Sequence, residues 1–291
     1  MPATTRDWIL GARPKTLTTA IAPVAVGTAS ANASGGARLG IAALALGVAL
    51  ALQVAVNYAN DYSDGVRGTD ANRVGPERLV ASGKVAPRRV RAAALVAFVI
   101  GSLLGLAMTV LSGQWWLLGV GVAAIVAAWT YTGSSRPYGY SGWGEVSVFV
   151  FFGLVATLGT MAAQAGRVTW WAVVAATGVG LYSVAMLLVN NIRDLESDAL
   201  TGKRTLAVRL GPIRSRVLFG ATVTAPLVAS CAVAIARPWA LATLVLMLPA
   251  ILLAFAVTVG LRGRPMSVVF AGTSAIGLAY GILLALGIAW A

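Results

Sequence analysis

The 291-residue sequence predicts an all-α integral membrane protein of about nine transmembrane helices, on three observations. Apolar residues make up 58% of the chain and charged residues only 11%. The apolar residues gather into uncharged runs close to the ~20 residues a helix needs to cross a bilayer. The basic residues then fall on alternate connections between those runs.

The spans are read in order at 16–33, 39–59, 91–112, 115–132, 145–165, 169–191, 214–236, 238–260 and 266–290. The first follows Arg13 and Lys15 and carries Pro23. Ala31-Asn32-Ala33 has a cleavable leader's small-x-small ending, but Pro23 and the threonines at 16, 18 and 19 suit a span better. The second runs into amides and carboxylates at Asn57-Tyr58-Ala59-Asn60-Asp61. Ser112-Gly113-Gln114 separates the third and fourth, Ala165-Gly166-Arg167 the fifth and sixth, and Arg237-Pro238 the seventh and eighth. Trp115-Trp116 and Trp170-Trp171 read as interface anchors. Polar connections at about 60–90, 133–144 and 192–213 form caps on one side of a single polytopic domain, 1–291. Of 22 basic residues, only Arg38, Arg167 and Arg237 fall on the opposite side. The positive-inside rule puts the caps and the N-terminus in the cytoplasm and the C-terminus outside. The net charge of +13 is therefore mainly a topology signal, and nucleic acid is not expected as a partner.

Composition also narrows the chemistry. Histidine is absent, and the one cysteine, Cys231, lies in an apolar run. Disulfides, haem, most zinc chemistry and Ser-His or Cys-His mechanisms are excluded. A metal here must be held by oxygen, which points to a hard cation such as Mg²⁺.

Seven of the nine acids occupy two short windows, 61–77 and 194–198. The first reads Asn57-Tyr-Ala-Asn60-Asp61-Tyr-Ser-Asp64, then Arg67-Gly68-Thr69-Asp70. The second reads Asn190-Asn191-Ile-Arg193-Asp194-Leu-Glu196-Ser-Asp198, then Gly202-Lys203-Arg204-Thr205. Asn57, Asp61 and Asp64 stand at i, i+4, i+7, and Asn190, Asp194 and Asp198 at i, i+4, i+8, so each set shares a helix face. Four carboxylates converging on one volume repel unless cations neutralise them, and Mg²⁺ completes its shell with phosphate oxygens. Asp61, Asp64, Asp194 and Asp198 are the expected metal ligands. Arg67, Arg78 and Lys84 follow the first window, while Arg193, Lys203 and Arg204 surround the second; guanidinium and ammonium groups bind phosphate. Asn60 and Asn191 extend the polar set. The alternative reading of each window alone is a solvated, salt-bridged helix end; two matched windows on one side favour a lipid diphosphate site.

"NYANDYSDGVRGTD" and "NNIRDLESDALTGKRTLAVRLG" resemble the two aspartate motifs of the UbiA superfamily of intramembrane aromatic prenyltransferases. The detailed form of the first motif and the stretch 131–153 resemble the branch that prenylates 1,4-dihydroxy-2-naphthoate. "GARPKTLTTAIAPV" (11–24) and "RLVASGKVAP" (78–87) agree, so the resemblance covers most of 8–215. The superfamily's first motif carries a further aspartate where Gly68 stands, with Asp70 two residues on; whether Asp70 binds metal stays open.

The resemblance implies a helix bundle around a central cavity capped by cytoplasmic loops. It also implies Mg²⁺-dependent transfer of a polyprenyl group from its diphosphate to 1,4-dihydroxy-2-naphthoate with decarboxylation, a step of menaquinone biosynthesis. A multi-pass protein of a bacterial cell membrane follows, with its active site facing the cytoplasm. Arg13 and Lys15 are candidates for the acceptor's carboxylate, with membrane anchoring as the alternative, and Tyr131 and Tyr138 for the wall of an aromatic pocket, with an interfacial aromatic belt as the alternative. Glu145 is expected to be only a helix N-terminal acid. 4-Hydroxybenzoate or another aromatic acid remains an alternative acceptor. A cation-coupled transporter is disfavoured, since such proteins place ionisable residues at mid-membrane and these lie at span ends. A CDP-alcohol phosphatidyltransferase fails on spacing after Gly65.

Overall fold

The computed structural model describes residues 3–69, 78–263 and 265–290, and every regular element among them is helical. A lipid environment leaves no water for unpaired backbone groups, so long apolar runs close their hydrogen bonds within themselves. After a short capped helix α1 (Thr5–Gly11), in which Thr4 and Asp7 form a capping box, come α2 (Thr18–Ala33), α3 (Leu39–Arg67), α4 (Pro87–Ser112) and α5 (Trp116–Thr130). α6 (Gly144–Val148) and α7 (Ala156–Ala165) form one rod through a π-helical turn, Phe149–Val155. α8 (Trp170–Arg193), the short α9 (Leu195–Leu200) and α10 (Leu206–Ala234) follow. α11 (Met247–Thr258) continues a 3₁₀ segment, Pro238–Leu246, and α12 (Met266–Ala289) ends the bundle.

Among the described residues, seven helical rods are long and apolar enough to cross a membrane. The other two expected spans are helical but shorter: α2 has 16 residues and α5 has 15. At ~1.5 Å per residue they cover roughly 24 and 22 Å, less than the ~30 Å hydrocarbon core. The polar connections are also more helical than expected. α3 continues to Arg67, and α4 starts at Pro87, a residue suited to a helix's first turn. The expected loop 192–213 contains α9 and the start of α10. α10 breaks at Gly211 (φ 76), where Ser215 Oγ donates to the carbonyls of Ala207 and Gly211 at 3.1 and 2.7 Å.

α8 is the most buried of the spanning rods and lies at the centre. Around it α2, α7, α10, α11 and α12 close the larger core, in which Leu188 of α8 shares a cluster with Met161, Phe219, Tyr280 and Leu284. Close approach depends on glycine at one crossing in particular. A Cβ on Gly153, in the π turn, would sit 2.5 Å from Gly180 Cα on α8. A smaller core of Tyr58, Leu79, Val85, Val90 and Phe98 seats the loop before α4 against α3. Between the α3–α5 group and the α2, α7, α8 group lies a cavity of about 400 Å³. Its volume is that of a small-molecule pocket.

Candidate active site

Gln53, Asn57 and Asn60 of α3, Asn190 of α8, Tyr131 and Tyr138 line one end of this cavity, together with Arg13 and Thr16. The rest of the wall is apolar, with Leu52, Val56, Leu106, Phe151, Phe152 and Val155. The polar end lies beside both acid windows. A chamber of this kind holds an apolar chain with its charged head at one end.

At that end the two windows meet. Lys203 Nζ lies 3.6 Å from Asp64 Oδ1 and 3.8 Å from Asp198 Oδ1. All three side chains are largely shielded from solvent. The ammonium also stands 4.8 Å from the ring centroid of Tyr140, and the Tyr140 hydroxyl donates to Asp64 Oδ1. Burial, reinforced by the Asp64 charge, pushes the Tyr140 phenol up. It therefore stays protonated and remains a donor at neutral pH. Its backbone carbonyl accepts from Arg204 N at 2.7 Å, so the loop after α5 bridges both windows. On its other side Arg67 donates to the carbonyls of Thr132 and Ser134, and Thr132 Oγ1 donates to Asn60 at 2.7 Å.

The other two expected ligands are engaged differently. Asp61 is fully buried, and its two oxygens accept the backbone N–H groups of Leu79 and Val80, each at 3.0 Å. It thereby holds the loop that carries Arg78, itself buried. Asp194 takes both its oxygens to Arg193, at 2.7 and 2.8 Å, a bidentate pair. Asn190, Asp194 and Asp198 do not share one unbroken helix: α8 ends at Arg193, Asp194 (φ −94, ψ 8) is the joint, and α9 begins at Leu195. Helical bonds still run from Asp194 N to Asn190 O and from Asp198 N to Asp194 O, so Asp198 reaches the site across the bend. Among the described residues no three acids cluster closely enough to hold a metal by themselves. Two facing carboxylates already sharing one cation are nevertheless a donor set that suits Mg²⁺, which takes one or two carboxylates and fills its shell with phosphate and water.

Of the expected basic residues, Lys84 pairs with Asp7 at 3.1 Å, and Lys15 and Arg204 are exposed. Asp70 lies outside the described residues. Asn57 donates to Ala12 O at 2.8 Å and to Thr16 Oγ1 at 3.0 Å, which fastens the turn carrying Arg13. Arg13 is the one non-glycine among the described residues with positive φ, at 55°. Such a left-handed residue persists only where its surroundings over-determine it. Tyr131 and Tyr138 meet edge to face at 5.4 Å between centroids, and the Tyr138 hydroxyl contacts Ser147 Oγ and Ala127 O, each at 2.8 Å. Glu145 is more than a helix-start acid: it is buried and accepts from Asn191 at 2.8 Å.

Sequence reasoning missed Tyr140, Thr16 and Gln53. Gln53 carried a signal, being an amide inside an apolar run one helical turn before Asn57. Nothing in sequence distinguished Tyr140 from Tyr131 and Tyr138.

The UbiA prenyltransferase family profile matches residues 20–271. The 1,4-dihydroxy-2-naphthoate octaprenyltransferase of Mycobacterium tuberculosis is 46% identical over 279 residues, spanning 96% of this chain and 95% of that one. The Haemophilus influenzae protein of the same name is 38% identical, spanning 97% and 95%. Among solved structures, the apo form of a UbiA homolog from Aeropyrum pernix K1 superposes with a TM-score of 0.70 at 18% identity, covering 92% of this chain and 96% of that one. A UbiA homolog from Archaeoglobus fulgidus bound to DMAPP and Mg²⁺ superposes with a TM-score of 0.63 at 15% identity, covering 96% and 99%. These structural likenesses establish a shared fold.

Proposed function

The chain belongs to the UbiA prenyltransferase family, and we propose that it transfers a polyprenyl group from polyprenyl diphosphate to 1,4-dihydroxy-2-naphthoate, with loss of CO₂, in menaquinone biosynthesis. The observation that carries this reading is the meeting of Asp64, Asp198 and Lys203, with Tyr140, beside the polar end of an apolar cavity. A lipid diphosphate needs that arrangement, with charge at one end and grease at the other.

Asp64 and Asp198 would hold Mg²⁺, with Asp61 and Asp194 beside them keeping the loop before α4 and the α8–α9 joint in place. When bound, the metal supplies positive charge to the diphosphate as it departs. Lys203 adds to that charge once diphosphate oxygens draw its ammonium from the carboxylates. Tyr140 keeps Asp64 oriented. The apolar wall excludes water from the allylic carbon, which becomes cation-like as its bond to oxygen lengthens. Arg13 meets the acceptor's carboxylate, and Tyr131 and Tyr138 border its ring. The ionised naphthol attacks the allylic carbon, and the diphosphate leaves with the electron pair of the broken C–O bond. The carboxylate then leaves as CO₂, its bonding pair restores the aromatic ring, and no net ring proton is lost. Positioning supplies much of the rate, and no histidine base is required.

We place all nine helical rods in the membrane, α2 and α5 included, with the N-terminus and the site on the cytoplasmic side of a bacterial cell membrane. The distribution of basic residues supports this orientation. The test is an acceptor assay on detergent-purified protein with Mg²⁺, labelled polyprenyl diphosphate, and either 1,4-dihydroxy-2-naphthoate or 4-hydroxybenzoate. Prenylated naphthol with release of CO₂ is expected; product from 4-hydroxybenzoate alone would move the protein to another quinone route.

A further inference from the structure

The geometry points to Gln53 as the residue that recognises a ring hydroxyl of the aromatic acceptor, an assignment that rests on the proposed naphthoate activity. Gln53 is 6% exposed and lines the polar end of the cavity. Its Nε2 donates to Thr16 Oγ1 at 3.0 Å. Which end of this amide faces Thr16 is settled by the hydroxyl's own hydrogen bonds. Thr16 spends its one proton on the Arg13 carbonyl at 2.9 Å and accepts from Asn57 Nδ2 at 3.0 Å. A hydroxyl has one proton and two lone pairs, so only a donor can occupy the remaining position. Gln53 must present its N–H₂ there, and its carbonyl oxygen is turned away from the turn.

That oxygen, Oε1, is buried and has no hydrogen-bond partner among the described residues. Buried amide oxygens are rarely left so, because the lost hydration is not replaced. A polyprenyl chain has no polar hydrogen, and its diphosphate offers acceptors. Of the two substrates, only the aromatic acid brings an O–H group. Arg13, whose backbone is tied to Gln53 through Thr16, would hold the carboxylate, and Gln53 Oε1 would accept from a hydroxyl on the same ring. The pair selects a hydroxylated aromatic acid over one lacking that hydroxyl, since the poorer ligand leaves the carbonyl buried and unpaired.

The test uses full-length protein in detergent with Mg²⁺. It measures the binding of 1,4-dihydroxy-2-naphthoate, 1-hydroxy-2-naphthoate and 4-hydroxy-2-naphthoate to the wild type and to Gln53→Leu. The wild type should bind the dihydroxy acid at least about tenfold more tightly than one of the two monohydroxy acids. In Gln53→Leu that gap should close to about twofold, with polyprenyl diphosphate affinity unchanged. Gln53→Met, closer in shape, gives the same readout should the leucine variant fail to fold. An undiminished gap in a folded variant overturns the assignment. So does an equal weakening of all three acids, which would mean that Gln53 only braces the turn. Failure of the functional reading looks different: the wild type itself would bind none of the three acids, and both conclusions would fall.

Discussion

Replacing Lys203 by methionine keeps most of the side chain's volume and removes the ammonium that lies between Asp64 and Asp198. At 3.6 and 3.8 Å and an effective dielectric of about 20, each contact corresponds to a gross attraction of about 4–5 kcal/mol. Desolvation of the three buried groups cancels much of that attraction. What decides the outcome is the state left behind: two shielded carboxylates that have lost the Lys203 ammonium lying between them. Removing one partner of a buried ion pair costs about 3–5 kcal/mol. At about 2–4 °C per kcal/mol this lowers the apparent Tm of the metal-free protein by about 6 °C or more. Mg²⁺ should reverse the loss, because it restores positive charge to the same carboxylates. The variant is therefore expected to be less stable than wild type in EDTA and to gain more from added Mg²⁺. Its affinity for polyprenyl diphosphate should fall. Thermal unfolding in detergent, with and without Mg²⁺, reads the first two effects, and titration with the diphosphate reads the third. An unchanged Tm in EDTA together with an unchanged response to Mg²⁺ would refute the reasoning.

Asp64→Asn and Asp198→Asn should each lower Mg²⁺-dependent turnover by at least about a hundredfold, with Mg²⁺ binding lost. Asp61→Asn should instead retain Mg²⁺ binding and expose the Ser82-Gly83 turn to protease, because an amide cannot accept both the Leu79 and Val80 N–H groups; intact resistance would sink that distinction. Tyr140→Phe keeps the ring beside Lys203 but removes the donor to Asp64. It should reduce kcat roughly tenfold with little change in acceptor KM, as read by steady-state kinetics. Hydrogen bonds from Thr4, followed by Lys84, hold the Asp7 carboxyl at about 2, below its ordinary 3.8. A depressed folded pKa gives stability that is present above the unfolded value and lost as pH falls through the folded one. α1 should thus stay capped at neutral pH and fray between about pH 4 and 2, seen as proteolysis near the N-terminus, whereas Thr4→Ala should fray at neutral pH.

The helical rods and the two acid windows were legible because hydropathy and a helical face are local properties. Asn57, Asp61 and Asp64 do lie along α3 as their spacing required. The second window was only half legible. Its spacing suits a continuous helix, but the chain bends at Asp194, where no proline or glycine marks the break. The division of labour among the carboxylates was illegible for a related reason. Asp61 meets Leu79 and Val80 across a loop, and no spacing within the window indicates that those N–H groups will reach it. Tyr140 likewise gains its place from a loop that crosses to Asp64.

By itself, then, the sequence determined the membrane class, the approximate spans, the oxygen-only donor chemistry and the two charged windows. Each of these follows from residue type and period alone, since a chain in lipid must close its backbone bonds locally. Only the tertiary structure decided that Asp64 and Asp198 share Lys203, that Asp61 and Asp194 accept from a loop backbone and from Arg193, and that Gln53 turns its oxygen away from Thr16. Those outcomes depend on which donors arrive from distant segments. A carboxylate or an amide takes its role from the partners that burial leaves it.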